Sequence, residues 1–170
     1  NCFSQMQREG ISPNAITFIS MLKACGSIRA IDMGKQIHDE IATKGLLRKN
    51  IVLGNALVDM YGKCGLVAQA RAVFDDLPAR NVVTWNTLIT GHAQQGQYHE
   101  ALNLFENMQS EGFLPDAVSF ICILQACGSI GAIDKGTRIH DEIIGKGMSK
   151  HTVLGNALVD MYAKCGLLSR

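Results

Sequence analysis

Apolar residues in this chain recur at helical rather than strand spacing, in short paired blocks. Within 82–116, Trp85, Leu88, Ile89 and His92 share one face of a helix. A turn through Gly96 follows, and then Ala101, Leu104, Phe105 and Met108 repeat the pattern at i, i+3, i+4 and i+7. Gly112 and Pro115 close the second helix, because glycine accepts the left-handed conformation at a helix end and proline cannot continue a helix. A hairpin of two such helices cannot bury its apolar faces alone and needs a neighbour.

The neighbours are written in the same sequence. AITFISMLKACGSIRAIDMGKQIHDEIATKG, beginning at Ala15, returns as AVSFICILQACGSIGAIDKGTRIHDEIIGKG from Ala117, 102 positions on. VLGNALVDMYGKCG, beginning at Val52, returns as VLGNALVDMYAKCG from Val153, 101 positions on, so one residue is lost near Lys150. The long period holds about three ordinary hairpin repeats. It divides the chain into units at 15–50, 51–81, 82–116 and 117–151, with partial units at 1–14 and 152–170. The fold expected is all-α, with helix-turn-helix repeats stacked as an α-solenoid.

Composition narrows what such a stack can do. At 170 residues, 47% hydrophobic and 18% charged, the chain can bury a core. No apolar run approaches the roughly 18 residues of a membrane-spanning helix, so no membrane partner is expected. A net charge of +1 argues against blanket phosphate neutralisation of duplex DNA, and any nucleic-acid role must rest on individually placed groups. The sequence opens at Asn1 inside an amphipathic pattern and stops at Arg170 just after another has begun, so it reads as a piece of a longer protein from which no targeting segment can be judged.

Several signals resemble chemistry. His38-Asp39-Glu40 and His140-Asp141-Glu142 match the H-x-E half of the zinc deaminase signature, but the P-C-x-x-C half is absent and the triplets sit at equivalent repeat positions, as packing residues would. The six cysteines form no C-x-x-C: Cys122 and Cys127 are five apart, and Cys25 with Cys127 and Cys64 with Cys165 are equivalent positions, so small buried reduced fillers are expected. Gly26, Gly65, Gly128 and Gly166 are expected at inter-helix turns, with no phosphate-loop spacing. No cofactor, metal, small-molecule substrate or enzymatic activity is implied.

The unit VVTWNTLITGHAQQGQYHEALNLFENMQSEGFLPD, the long unit ending GKQIHDEIATKG and the short unit VLGNALVDMYGKCGLVAQARAVFDDLP resemble the P, L and S motifs of the pentatricopeptide repeat family. The order is L, S, P, L, with a partial P unit before it and a partial S unit after it, and the resemblance covers essentially the whole chain. Tetratricopeptide repeats are also hairpins of about 34 residues, but they do not cycle through three lengths, and Trp85 followed by Leu88 and Ile89 departs from their spacing. The resemblance implies a right-handed superhelix whose first helices line a concave surface, with single-stranded RNA held at about one base per repeat. It also implies a mitochondrial or chloroplast protein acting in RNA editing or processing, any deaminase lying outside this segment. A different class of function, a protein-binding scaffold docking an accessory editing factor, is also compatible with such a stack. Apolar faces around Leu158 and Tyr162 would allow end-to-end self-association of the segment.

In that family the fifth and last residues of a motif read one base and the second packs against base faces. The resemblance therefore implies reading by Asn86 with Asp116 in the P unit and by Asn55 with Asn81 in the first S unit, with Val83 and Val52 as their packing residues. Asn156 and Asn14 each supply half a reading pair, and Ile16, Val118 and Val153 are further packing positions. An amide can both donate to and accept from an unstacked base, whereas a carboxylate only accepts. Asp116 thus suits uracil, Asn81 suits cytosine before it, and the protein would run parallel to RNA 5′ to 3′. The L units pair Ile19 with Asn50 and Ile121 with His151, and no strong base preference is expected there. Lys63 and Lys164, late in the first helix of each S unit, are candidate phosphate contacts, each adding about one unit to the salt slope.

Overall fold

The computed structural model describes residue 5 and residues 8–167. Among these, nine α-helices run Ala15–Ile28 (α1), Ile31–Thr43 (α2), Ile51–Lys63 (α3), Val67–Asp76 (α4), Val82–Gln94 (α5), Tyr98–Ser110 (α6), Ala117–Ile130 (α7), Ile133–Gly145 (α8) and Thr152–Lys164 (α9), with a short 3₁₀ helix at Leu46–Lys49. The helical periodicity of the sequence is thus realised in paired helices, and no strand is present among the described residues. The 3₁₀ turn was not legible beforehand. It carries no buried residue and fills the extra length of the first long unit, entered through Gly45 at φ 61°.

The chain forms two compact units, Asn1–Arg80 and Asn81–Arg170. In the first, α1 packs on α2 and α3, and α4 packs on α3. Phe18, Leu22, Ile41, Leu53, Leu57 and Met60 are fully buried there. In the second, α7 packs on α5, α6, α8 and α9, around Trp85, Leu88, Phe105, Phe120 and Leu124. Each such side chain contributes about 1.5–3 kcal/mol through removal from water. The faces read from spacing are the buried ones: Trp85, Leu88, Ile89 and His92 on α5, and Ala101, Leu104, Phe105 and Met108 on α6.

Gly26 and Gly128 correct the sequence reading. Neither lies in a turn: both are buried inside helices, α1 and α7. A Cβ on Gly26 would stand 3.3 Å from Met60 Cα, and one on Gly128 would stand 3.2 Å from Met161 Cα. These glycines let the helices of successive repeats approach backbone to backbone. The turns they were expected to make are made three residues later, in the left-handed conformation, by Arg29 (φ 53°) and Gly131 (φ 66°). Gly65 and Gly166 do lie at turns, with φ 79° and 80°.

His38 and His140 bond the phenolic oxygens of Tyr61 and Tyr162 through Nδ1 at 2.9 Å each. The triplets therefore join a long unit to the short unit after it. Among the described residues no group of three His, Cys, Asp or Glu side chains could hold a metal. Cys25 and Cys127 are buried, but Cys64, Cys122 and Cys165 are only half-buried. Burial raises the thiol pKa at Cys25, Cys64, Cys122 and Cys127, the last to about 11, which keeps them protonated. No described helix is long and apolar enough to cross a membrane. At the apolar face noted on α9, Leu158 and Tyr162 are half-buried and Val159 is 64% exposed, whereas its counterpart Val58 on α3, a helix packed by α4, is 1% exposed.

Candidate nucleic-acid interface

The first helices begin on side chains that cap them. An uncapped helix start leaves backbone N–H groups without partners, and Asn or Asp can accept from the third residue inside. Asn14 accepts from Thr17 N–H at 3.0 Å, Asn50 from Leu53 N–H at 3.1 Å, Asn81 from Thr84 N–H at 2.9 Å and Asp116 from Ser119 N–H at 3.0 Å. Thr17, Thr84 and Ser119 close reciprocal capping boxes, their hydroxyl oxygens accepting from the backbone N–H of the cap residue. Leu53 has no hydroxyl to do so. His151, before α9, makes no side-chain cap bond. The residues expected to be the last of their motifs are thus all helix-capping positions, and four of the five use the side chain to cap.

The cap bond decides which atoms face away from the helix. Capping consumes an acceptor oxygen, so an Asn cap keeps its NH₂ free, whereas an Asp cap keeps a second carboxylate oxygen. Asn14, Asn50 and Asn81 therefore offer donors, and Asp116 offers an acceptor.

Asn86, one turn into α5, is brought to Asp116. Its Nδ2 donates to Asp116 Oδ1 at 2.9 Å, and the Ser119 hydroxyl donates to Asn86 Oδ1 at 2.6 Å. Asn86 is 6% exposed and Ser119 fully buried, so both bonds are shielded from water. Partial burial opposes ionisation of Asp116, but bonds from Ser119 N–H, the Asn86 amide, the Ser119 hydroxyl and Val118 N–H outweigh it and hold the carboxyl below the usual aspartate range. Asp116 is a carboxylate at neutral pH.

The other fifth-position residues differ. Asn55 is half-buried, with Oδ1 buried and without a hydrogen-bond partner, and Asn156 is exposed. Ile19 and Ile121 are half-buried. The second-position residues Ile16, Val52, Val83, Val118 and Val153 are 73%, 56%, 54%, 52% and 53% exposed. Packing within the stack leaves more than half of each available.

Lys63 and Lys164 end α3 and α9. Each bonds the carboxylate one turn earlier, Asp59 and Asp160, at 2.7 Å, a pairing the sequence reading did not draw although its i, i+4 spacing was visible. Each lysine stem crosses a glycine, with Cδ 3.2 Å from where a Cβ would stand on Gly26 or Gly128. In the second unit Lys164 borders a groove of about 280 Å³ lined also by Thr90, Gln94, Tyr98, Gln125 and Ser129.

Stacked helical hairpins, each first helix preceded by a polar N-cap residue, define a helical-repeat scaffold. The chain belongs to the pentatricopeptide repeat family. Profiles described as pentatricopeptide repeat domain, PPR repeat and PPR repeat family match residues 1–64, 55–82 and 80–129. A chloroplastic pentatricopeptide repeat-containing protein of Arabidopsis thaliana is 37% identical over 96% of this chain, and another protein of that description from the same plant is 41% identical over 96%. The chain spans only 26% and 23% of their lengths. The structure of maize PPR10 superposes with a TM-score of 0.76 over 97% of this chain and 24% of that one, at 23% identity, and the complex of PPR10 with an 18-nucleotide psaJ RNA element gives 0.77 over 95% and 24%. The tract has the fold of a helical-repeat scaffold.

Proposed function

We propose that this tract binds single-stranded RNA at about one base per repeat, as the recognition segment of an organellar RNA-editing or RNA-processing factor. The observation that carries the reading is the bond between Asn86 and Asp116, which ties the fifth residue of one repeat to the cap of the next. Asp116, held as a carboxylate, offers an acceptor to the ring N–H of uracil, while Asn81, its oxygen consumed by the cap, offers a donor to the ring nitrogen of cytosine. The P unit then prefers uracil and the S unit before it cytosine.

Val52 and Val83 each supply an exposed apolar face for a base, with Ile16, Val118 and Val153 in the same role along the tract. Lys63 and Lys164 supply phosphate contacts. The L units, with Ile19 and Ile121 at the fifth position, act as spacers of low discrimination. The maize protein was crystallised with RNA, and relatives named chloroplastic or mitochondrial support an organellar setting. Editing rests on the alternation of P, L and S units.

The test is enrichment of a randomised RNA pool on the full-length protein that carries these repeats, followed by sequencing. A cytosine-uracil step at the adjacent S and P positions is expected; enrichment without base preference there would sink the reading.

A further inference from the structure

Ser119 stands out because it belongs to neither member of the expected reading pair and yet bonds both. Its hydroxyl oxygen accepts from Asp116 N–H at 3.1 Å, and its single proton can go to Asn86 Oδ1 at 2.6 Å or to Asp116 Oδ1 at 3.0 Å. A primary amide can fit a site either way round, since its O and N are similar in size. Here two partners decide. The carboxylate of Asp116 can only accept and so demands the NH₂ end, while the hydroxyl, donating along the shorter of its two contacts, takes the carbonyl end.

The residue types recur along the sequence, although the Thr84 hydroxyl bonds its own cap residue Asn81. The third residue of a first helix follows the fifth residue of the first helix before it: Thr84 follows Asn55, Ser119 follows Asn86, Leu53 follows Ile19 and Leu154 follows Ile121. A hydroxyl stands where the preceding repeat carries an amide, and a leucine where it carries isoleucine. Leu53 and Leu154 are fully or almost fully buried, at 0% and 1% exposure.

We propose that Ser119 is a positioning residue that fixes which edge of the Asn86 amide is offered to the base. The inference rests on the reading of Asn86 and Asp116 as a base-recognition pair. With the amide oriented, one N–H and one carbonyl lone pair of Asn86 stay unused by Asp116 and Ser119, in fixed places. Without the hydroxyl the carbonyl loses its buried partner, and the amide loses one of the two constraints on its orientation.

Pool enrichment on the full-length protein tests this with three variants, read as the ratio of uracil to cytosine at the P position, so that a partly unfolded sample lowers yield without altering the ratio. Ser119→Ala is expected to lower that ratio about fivefold, the loss of one net hydrogen bond; Ser119→Thr, which keeps the hydroxyl, is expected to preserve it. Asp116→Asn is the control on the underlying pair and is expected to move the preference toward cytosine. An unchanged ratio in Ser119→Ala, with Asp116→Asn shifting as expected, overturns the positioning role and leaves the reading standing. Equal losses in the Ala and Thr variants overturn it too. A uracil preference retained by Asp116→Asn overturns the reading beneath both.

Discussion

The amide nitrogen of Asn86 lies 2.9 Å from a carboxylate oxygen of Asp116, thirty positions further along the chain. One residue sits a turn inside its helix and the other caps the next repeat, so the bond spans a repeat junction. Such a junction can carry a two-residue code because the cap holds one member rigidly and the bond holds the other to it.

Replacing Asp116 by Asn keeps a capping oxygen but turns the outward acceptor into a donor. Base preference at the P position should move from uracil to cytosine by about tenfold, as expected of exchanging one matched for one opposed hydrogen bond. Helix α7 should stay capped, so the thermal midpoint should move little. Binding titrations against two RNAs differing at that single base measure the shift. Because hydrogen bonds depress the Asp116 pKa, the wild-type preference should stay level through neutral pH and fade only as acid protonates the carboxylate, below the usual aspartate range.

Lys63 is held to Asp59 and Lys164 to Asp160. An exposed pair of this kind adds at most about 1 kcal/mol to stability, so Lys63→Gln should leave folding nearly unchanged. Its effect should appear in the salt dependence of RNA binding, reducing the slope by about 0.7 for a single strand. Asp59→Asn should do the opposite, tightening binding at low salt by releasing the ammonium group from its carboxylate. Titrations at several salt concentrations decide the matter, and parallel lines for wild type and Lys63→Gln would remove the phosphate assignment.

How much of this was legible beforehand depends on whether one chain segment or two had to be known. Helix positions, buried faces and the equivalence of His38 with His140 follow from spacing, which a single segment carries. Gly26 is different: its purpose is Met60 Cα, 3.3 Å from a would-be Cβ, and nothing near it in sequence names that neighbour. The same holds for Ser119. Its capping-box partner Asp116 is three residues away and readable, but its bond to Asn86 spans 33 positions, and a serine near a helix start attracts no notice on its own. The partners of Lys63 and Lys164 were in view one turn earlier and still had to be shown in contact.

Arg29 ends α1 at φ 53°, while Gly131 holds the equivalent place at φ 66°. A side chain in the left-handed region costs about 1–2 kcal/mol, and glycine returns about 0.5–1 kcal/mol of that through its freer unfolded chain. Arg29→Gly should therefore stabilise the first unit by roughly 0.5–1 kcal/mol. The reciprocal Gly131→Arg should destabilise the second by a similar amount. Chemical denaturation of the two variants measures both, and a destabilised Arg29→Gly protein would mean that the arginine side chain makes a compensating contact.

His38 couples the first unit to pH. Burial lowers its pKa, while the nearby carboxylates of Asp39 and Asp76 pull the other way and do not overcome it. Its Nδ1 lies 2.9 Å from the Tyr61 hydroxyl, a contact compatible with the neutral ring. Folding thus favours the uncharged histidine. The unfolded chain takes up a proton at the ordinary histidine pKa of about 6.5, before the folded chain does. The stabilisation is complete above that pH and is lost as pH falls through the folded value. His38→Gln removes the titration and keeps a polar side chain facing Tyr61. Wild type should lose denaturation midpoint between about pH 7.5 and pH 5.5, and the variant should lose less over the same interval. Equal losses in the two proteins would show that the acid sensitivity arises elsewhere and that the His38 to Tyr61 contact tolerates the charged ring.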